Sequence, residues 1–212
     1  ELRGTKAAIS RYGSGSHLMA YINAQNNKWD LKNDFNFEVI KDLDGAVDHL
    51  RKSGAAKAEK KGERETKEGL VYSYIHAGGR LGVMIEVNCE TDFVAKTDGF
   101  IELAHNLAMQ IAATNPISLD KDSVSTDVVA KEKEIYTDQA KSSGKPDNII
   151  EKMVEGRLSK FYQENCLMEQ AYIKDSDKKV VDLMTETIAT LGENITISQF
   201  TRFAVGESNP QN

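Results

Sequence analysis

The sequence predicts an α+β fold, a three-stranded antiparallel sheet covered by helices, with a projecting helical hairpin. Three observations lead there. Leu81, Val83, Ile85 and Val87 alternate with Gly82, Met84, Glu86 and Asn88, the period-two pattern of a strand with one face on a core. A second strand-like run, Leu70 to Ile75, is joined to it by the Gly-containing loop His76-Ala-Gly-Gly-Arg80, which reads as an antiparallel hairpin. Phe100, Leu103, Leu107 and Ile111 then recur at helical spacing, and such a helix suits the role of a cover for the sheet.

Taken in order, Gly13-Ser-Gly-Ser-His-Leu-Met19 resembles a cloning junction, so residues 1–19 are expected to be tag-like or flexible. Asp42 or Asp44 can cap a short helix carrying Val47 and Leu50 and ending at Gly54. The charged stretch Lys57 to Lys67 is interleaved with Glu59, Glu63 and Glu65 and reads as a solvated helix end or linker. After the hairpin, Thr97 caps the Phe100 helix, which Asn115-Pro116 stops. Two further helices, roughly Ser125 to Lys141 around Val128, Val129, Ile135 and Tyr136, and Pro146 to Glu164 around Ile149, Ile150, Met153, Leu158 and Phe161, form an antiparallel hairpin at 125–164. Gly144-Lys-Pro146 punctuates it, Gly as a left-handed stop and Pro as a helix start. A helix from about Lys179 to Leu191 ends at Gly192. A last strand, Ile195 to Val205, puts Ile195, Ile197, Phe203 and Val205 on one parity and completes the sheet.

Composition excludes several roles. The 212 residues are 40% hydrophobic and 28% charged with a formal net charge of −6, which is ordinary for a soluble cytoplasmic globular protein and fits an organellar matrix or stroma equally. Acidic balance argues against direct nucleic-acid binding, because tracking phosphates needs clustered Lys and Arg. No window approaches the ~20 apolar residues of a membrane span. Cys89 and Cys166 are too few for a disulfide framework and read as free buried thiols. Gly144-Lys145 lacks the preceding glycine of a phosphate-cradling loop, so the chain is not itself expected to bind nucleotide.

The most informative break in pattern follows the central strand. Cys89-Glu-Thr-Asp92 cannot continue the alternation, so the chain turns there and presents Phe93 before the next helix. From the residues alone, Phe93 is either a recognition side chain or a cap on the core. Other chemistries compete for the same segment. Cys89 would need a nearby base to act as a nucleophile, and His17, His49, His76 and His105 are scattered. Glu86, Glu90 and Asp92 could face a hard cation, but an Asp/Gly loop of the calcium type is missing, and we expect no metal and no cofactor.

The run Asn88-Cys-Glu-Thr-Asp-Phe-Val94, with Asp44-Gly-Ala-Val-Asp-His-Leu-Arg-Lys-Ser-Gly54, Tyr74-Ile-His76, Gly79-Arg80, Leu107-Ala-Met109, Gly144-Lys-Pro146, Glu151-Lys-Met-Val-Glu-Gly-Arg157, Leu191-Gly-Glu-Asn-Ile195 and Arg202-Phe203, closely resembles the elongation factor Ts family in order and spacing from about Asp42 to Glu207. That resemblance implies a guanine nucleotide exchange factor for elongation factor Tu, binding its GDP-bound and nucleotide-free states without covalent chemistry. It assigns Thr91, Asp92, Phe93 and Val94 to a wedge entering the partner beside its magnesium and phosphate site, and it leaves His76 and Arg80 open between a secondary contact and a plain Gly78-Gly79 turn with a solvated arginine. It divides the chain into residues 20–62, a remnant ubiquitin-associated-like helical module and linker whose first two helices are replaced or altered, and residues 63–212, a single core half. A chain with one core half contacts its partner through that half or forms a homodimer that supplies both. The alternative function is a non-exchanging interaction scaffold using the same surface.

Overall fold

The computed structural model describes residues 6–9, 36–39, 54–56, 58–142 and 146–207. It divides into two compact units, residues 1–56 and 57–212. In the first, strands β1 (Lys6–Ile9) and β2 (Asn36–Val39) pair in parallel, Lys6 opposite Asn36 and Ile9 opposite Val39. The flexible segment (residues 1–19) and helical remnant (residues 20–62) expected there lie mostly outside the described residues, and neither expectation included these strands. Four-residue alternations are too short to stand out from a sequence, and a parallel partner lies far along the chain, where local periodicity cannot reveal it. The expected helix from Asp44 to Ser53 lies outside the described residues. Residues 54–56 and 58–59 are helical, so Gly54 is not a stop.

In the second unit, β3 (Glu68–Ile75), β4 (Leu81–Cys89) and β7 (Ile195–Ala204) form the expected three-stranded antiparallel sheet, with β4 in the middle. Gly69 lets β3 lie close to the end of β4: at φ 151° it takes a backbone conformation that a side chain resists, and an added Cβ would sit 2.2 Å from the Val87 carbonyl oxygen. Val83, Ile85, Val87 and Cys89 are all buried, as their alternation demanded. They meet Phe100, Leu103, Leu107 and Ile111 of helix α2 (Asp98–Thr114) and, through the same core, Val180, Met184 and Ile188 of helix α5 (Val180–Leu191). Each such large side chain removed from water contributes roughly 1.5–3 kcal/mol. Thr97 caps α2 by accepting the Phe100 amide at 3.3 Å, and Asn115, in the left-handed conformation at φ 48°, ends it.

Strand β7 departs from its expected parity. Val87 pairs with Ile197 but Glu86 with Gln199, so Ser198 is an extra residue, a β-bulge. One inserted residue reverses every side chain beyond it. Ile195 and Ile197 stay in the core, Phe200 packs against it, and Phe203 and Val205 turn out to the other face, 56% and 61% exposed. No signal in the Ile195 to Val205 run marks the insertion.

Helices α3 (Thr126–Lys141) and α4 (Asp147–Asn165) form the expected helical hairpin with its own small core of Ala140, Ile150 and Val154, backed by Tyr136, Met153 and Leu158. Val128, Ile135 and Ile149, expected inside, are exposed. Two helices bury only the narrow stripe between them and leave flanking apolar residues uncovered. The Arg157 guanidinium lies 5.8 Å from the Tyr136 ring centre and donates to Gln139 across the pair. The Gly144 stop lies outside the described residues.

Sequence reasoning missed a small hairpin, β5 (Ala171–Tyr172) with β6 (Asp175–Lys179), preceded by a single 3-10 turn at Leu167–Glu169. Two buried amides hold it against α2. Gln110 donates to Gln170 Oε1 and to the Ala171 carbonyl, both at 3.1 Å, and accepts the Ile173 amide at 2.9 Å, while Gln170 donates to the Glu164 carbonyl at 2.9 Å. The network satisfies groups whose burial would otherwise be unfavourable. Among the described residues, no helix is long and apolar enough to cross a membrane.

Candidate functional site

Strand β4 delivers the chain to one end of the sheet, where Glu90 and Thr91 turn it into the single-turn helix α1 (Asp92–Ala95). The sequence predicted a turn here; the structure makes it helical. Thr91 is extended, at φ −130° and ψ 152°, and its hydroxyl oxygen accepts the Val94 amide at 3.5 Å. On the inner side of this turn Ala95 is buried and Val94 packs against the core. On the outer side Phe93 is 80% exposed, the most exposed large apolar residue of the described chain. Phe93 therefore does not cap the core. Because Val94 and Ala95 hold the turn inward, the side chain one position earlier must point away.

Asp92 and Lys96 form an ion pair at 2.8 Å beside Phe93, one helical turn apart, and the hydrogen bond from the ammonium to Asp92 holds the Lys96 pKa above its ordinary value. The pair is exposed, so it flanks the aromatic ring with charge rather than adding much stability. Thr97 ties the exit of the turn, its hydroxyl donating to the Val94 carbonyl at 2.8 Å.

The sequence reading assigned no role to the α5–β7 turn, which the fold places against this loop. Gly192, at φ 83°, ends α5 and directs Glu193 toward Thr91. The Glu193 carboxylate accepts the Thr91 hydroxyl at 2.7 Å and the Thr91 amide at 3.0 Å. Next to it, the Asn194 amide donates to Glu90 at 2.7 Å, and the Asn194 side chain, 3% exposed, donates to the Arg64 carbonyl at 2.7 Å. The motif containing these residues was visible, but a partner 102 positions away in sequence is not.

The competing chemistries separate in space. Cys89 is fully buried; burial first, and the Glu193 charge second, push its thiol pKa up, so little thiolate exists at neutral pH. We expect iodoacetamide to modify Cys89 in the native protein at least about tenfold more slowly than in denaturant, as followed by peptide mass spectrometry. Equal rates would restore the nucleophile reading. The three carboxylates do not converge: Glu86 accepts from Gln199 and Asn88, which lower its pKa, Glu90 accepts from Asn194, and Asp92 pairs with Lys96. Among the described residues, no three His, Cys, Asp or Glu side chains cluster as metal ligands would. His105 lies between two tyrosines, with Nδ1 3.1 Å from the Tyr72 hydroxyl.

His76 and Arg80 are both exposed in the β3–β4 turn, and His76 Nδ1 lies 2.9 Å from the Tyr74 hydroxyl. That turn and the Phe93 loop sit at opposite ends of the nine-residue strand β4, whose first and last residues are about 26 Å apart at roughly 3.3 Å per step. The structure thus brings Thr91, Asp92, Phe93 and Val94 together and leaves His76 and Arg80 as a separate surface. What the Phe93 loop presents is an exposed aromatic side chain, flanked by the Asp92–Lys96 ion pair, on a turn whose inner side packs against the core.

Comparison with known proteins agrees with the motif reading. A family model described as Elongation factor TS matches residues 56–207, and one described as Ca3427-like PBP matches residues 1–65. The chain is 58% identical to Elongation factor Ts of Syntrophomonas wolfei over 170 residues, covering 80% of this chain and 79% of that protein. It is 56% identical to Elongation factor Ts of Thermotoga maritima over 170 residues, with 80% and 84% coverage, and 55% identical to that of Moorella thermoacetica, also with 80% and 84% coverage.

Proposed function

The chain belongs to the elongation factor Ts family of translation elongation factors, and on that premise we propose that it is a guanine nucleotide exchange factor that binds elongation factor Tu and promotes GDP release. The observation that carries this reading is the 80% exposure of Phe93 on a turn anchored from behind. An exposed phenyl ring gains roughly 1.5–3 kcal/mol on burial, and it gains this in the partner only where the partner opens to admit it. If the opened state is the one that has lost its magnesium and phosphate contacts, the wedge and GDP compete. Coupling between the two is reciprocal, so the free energy by which the factor prefers the nucleotide-free state equals that by which it weakens GDP. Incoming GTP displaces the factor by the same relation. No covalent step occurs, and no resident cofactor is called for.

Thr91 and Val94 shape the turn, Asp92 and Phe93 face the partner, and His76 and Arg80 provide a second contact at the far end of β4. The core domain of residues 63–212 carries all of these, in a cytoplasmic setting. The test is release of fluorescent GDP from elongation factor Tu. Acceleration by substoichiometric protein supports exchange, whereas binding with no change in GDP release would leave an interaction scaffold.

We place self-association, the homodimer arrangement, on the face of the sheet that carries Ile75, Met84 and Phe203, exposed at 67%, 49% and 56%. Ile75, Gly82 and Phe203 lie in one row across the three strands, and Met84 lies in the next. Apolar side chains in adjacent rows make a patch suited to a second copy. The parent is expected to sediment as a dimer and Phe203→Asp as a monomer. A parent that is monomeric at micromolar concentration would remove this proposal.

A further inference from the structure

We propose that Glu193 is a positioning residue for the Phe93 wedge, acting through Thr91; this rests on the exchange reading above. Helix α1 has four residues, too few to hold its own conformation, since helix nucleation is unfavourable and a single turn gains little from propagation. Its geometry must come from outside. The Glu193 carboxylate supplies it by accepting both the Thr91 hydroxyl, at 2.7 Å, and the Thr91 amide, at 3.0 Å.

The hydroxyl bond does more than tether. A threonine hydroxyl has one proton and two lone pairs. With the proton held by Glu193, a lone pair is left to face the Val94 amide, the capping bond that starts α1. Glu193 therefore orients the cap, and the cap sets the direction in which Phe93 projects. The turn bearing Glu193 is itself fixed, by left-handed Gly192 on one side and on the other by buried Asn194, bonded to Glu90 and to the Arg64 carbonyl. Positioning sets how often a bound group reaches its productive geometry, and a displacement of about 1 Å is a large loss.

The experiment measures GDP release from elongation factor Tu against factor concentration for the parent, Glu193→Ala, Thr91→Val, Thr91→Ser and the Glu193→Ala/Thr91→Val double variant. The maximal release rate is expected to fall roughly tenfold in Glu193→Ala and in Thr91→Val, with the half-saturating concentration changed less than about threefold, because the remaining contacts are intact. The double variant should be no worse than either single variant, and Thr91→Ser should recover most of what Thr91→Val loses. Hydrogen exchange at the Val94 amide should rise in Glu193→Ala while that of Ile111 stays as in the parent, a reading independent of activity. If Glu193→Ala does not fold, Thr91→Val reads the same tie from the other side. A parent that accelerates release with both single variants reaching the same maximum overturns this inference alone. Additive losses in the double variant overturn it too. A parent that leaves GDP release unchanged overturns the exchange reading, and this inference with it.

Discussion

Phe93→Ala is expected to lose nearly all acceleration of GDP release while unfolding at the same temperature as the parent. The second half of that expectation follows from exposure. Phe93 is 80% exposed, so removing its ring leaves no cavity and strips little from the core, and surface changes of this kind usually fall within about 0.5 kcal/mol. The first half follows from what the ring does in the partner. If its burial supplies roughly 1.5–3 kcal/mol toward the opened, nucleotide-free state, its loss slows factor-driven release by about 10- to 150-fold. Stopped-flow release of fluorescent GDP, with thermal unfolding of the free variant beside it, reads both numbers. An unchanged release rate would mean that the ring is not the wedge, and a large fall in melting temperature would mean that it belongs to the core after all.

Phe100→Ala, seven residues on, should behave in the opposite way. Phe100 has no exposed surface, lies in the first turn of α2 and belongs to the cluster that joins the sheet to α2 and α5. Truncating it removes the transferred ring and leaves a cavity that its neighbours fill only partly, for about 3–5 kcal/mol. For a unit of this size that corresponds to a fall of roughly 6–20 °C in melting temperature. Urea unfolding followed by circular dichroism gives the free energy directly. A loss below about 1 kcal/mol would mean that the space beneath α2 can collapse freely, contrary to a close-packed core. At a temperature where this variant is still folded, its maximal exchange rate should stay near that of the parent, since the Phe100 ring is buried and the Phe93 ring faces solvent.

These two phenylalanines show what periodicity can and cannot decide. Phe100 was readable as core because Leu103, Leu107 and Ile111 repeat its helical phase, and all four are buried. Phe93 has no repeating neighbours, so the residues alone left it open between core cap and contact. The motif resemblance favoured contact, and the position of Val94 and Ala95 behind it is the physical reason it is exposed. Strand β4 was legible for the same reason as α2: its alternation is long and one parity is apolar throughout, while the other carries Glu86 and Asn88. Strand β7 was legible in existence but not in facing, because the Ser198 bulge reverses Phe203 without any local mark. The α3–α4 pair was legible as helices, yet Val128, Ile135 and Ile149 were misplaced, since helical phase shows a stripe without showing how much of it a single partner helix covers.

By itself the sequence determined the class of the core, the central strand, the covering helices and the turn that presents Phe93, because these depend on period, caps and stops within a few residues of one another. Its motifs placed the chain near one family, and that resemblance implied a contact role for Thr91 to Val94. Only the tertiary structure decided that Glu193 and Asn194 hydrogen-bond the Glu90–Thr91 turn beneath Phe93, that Gln110 and Gln170 fasten a hairpin no pattern announced, and that Phe203 faces outward. Each of these depends on a hydrogen bond or a register between residues tens of positions apart, and such pairings exist only once burial has brought distant segments together and made their polar groups find partners.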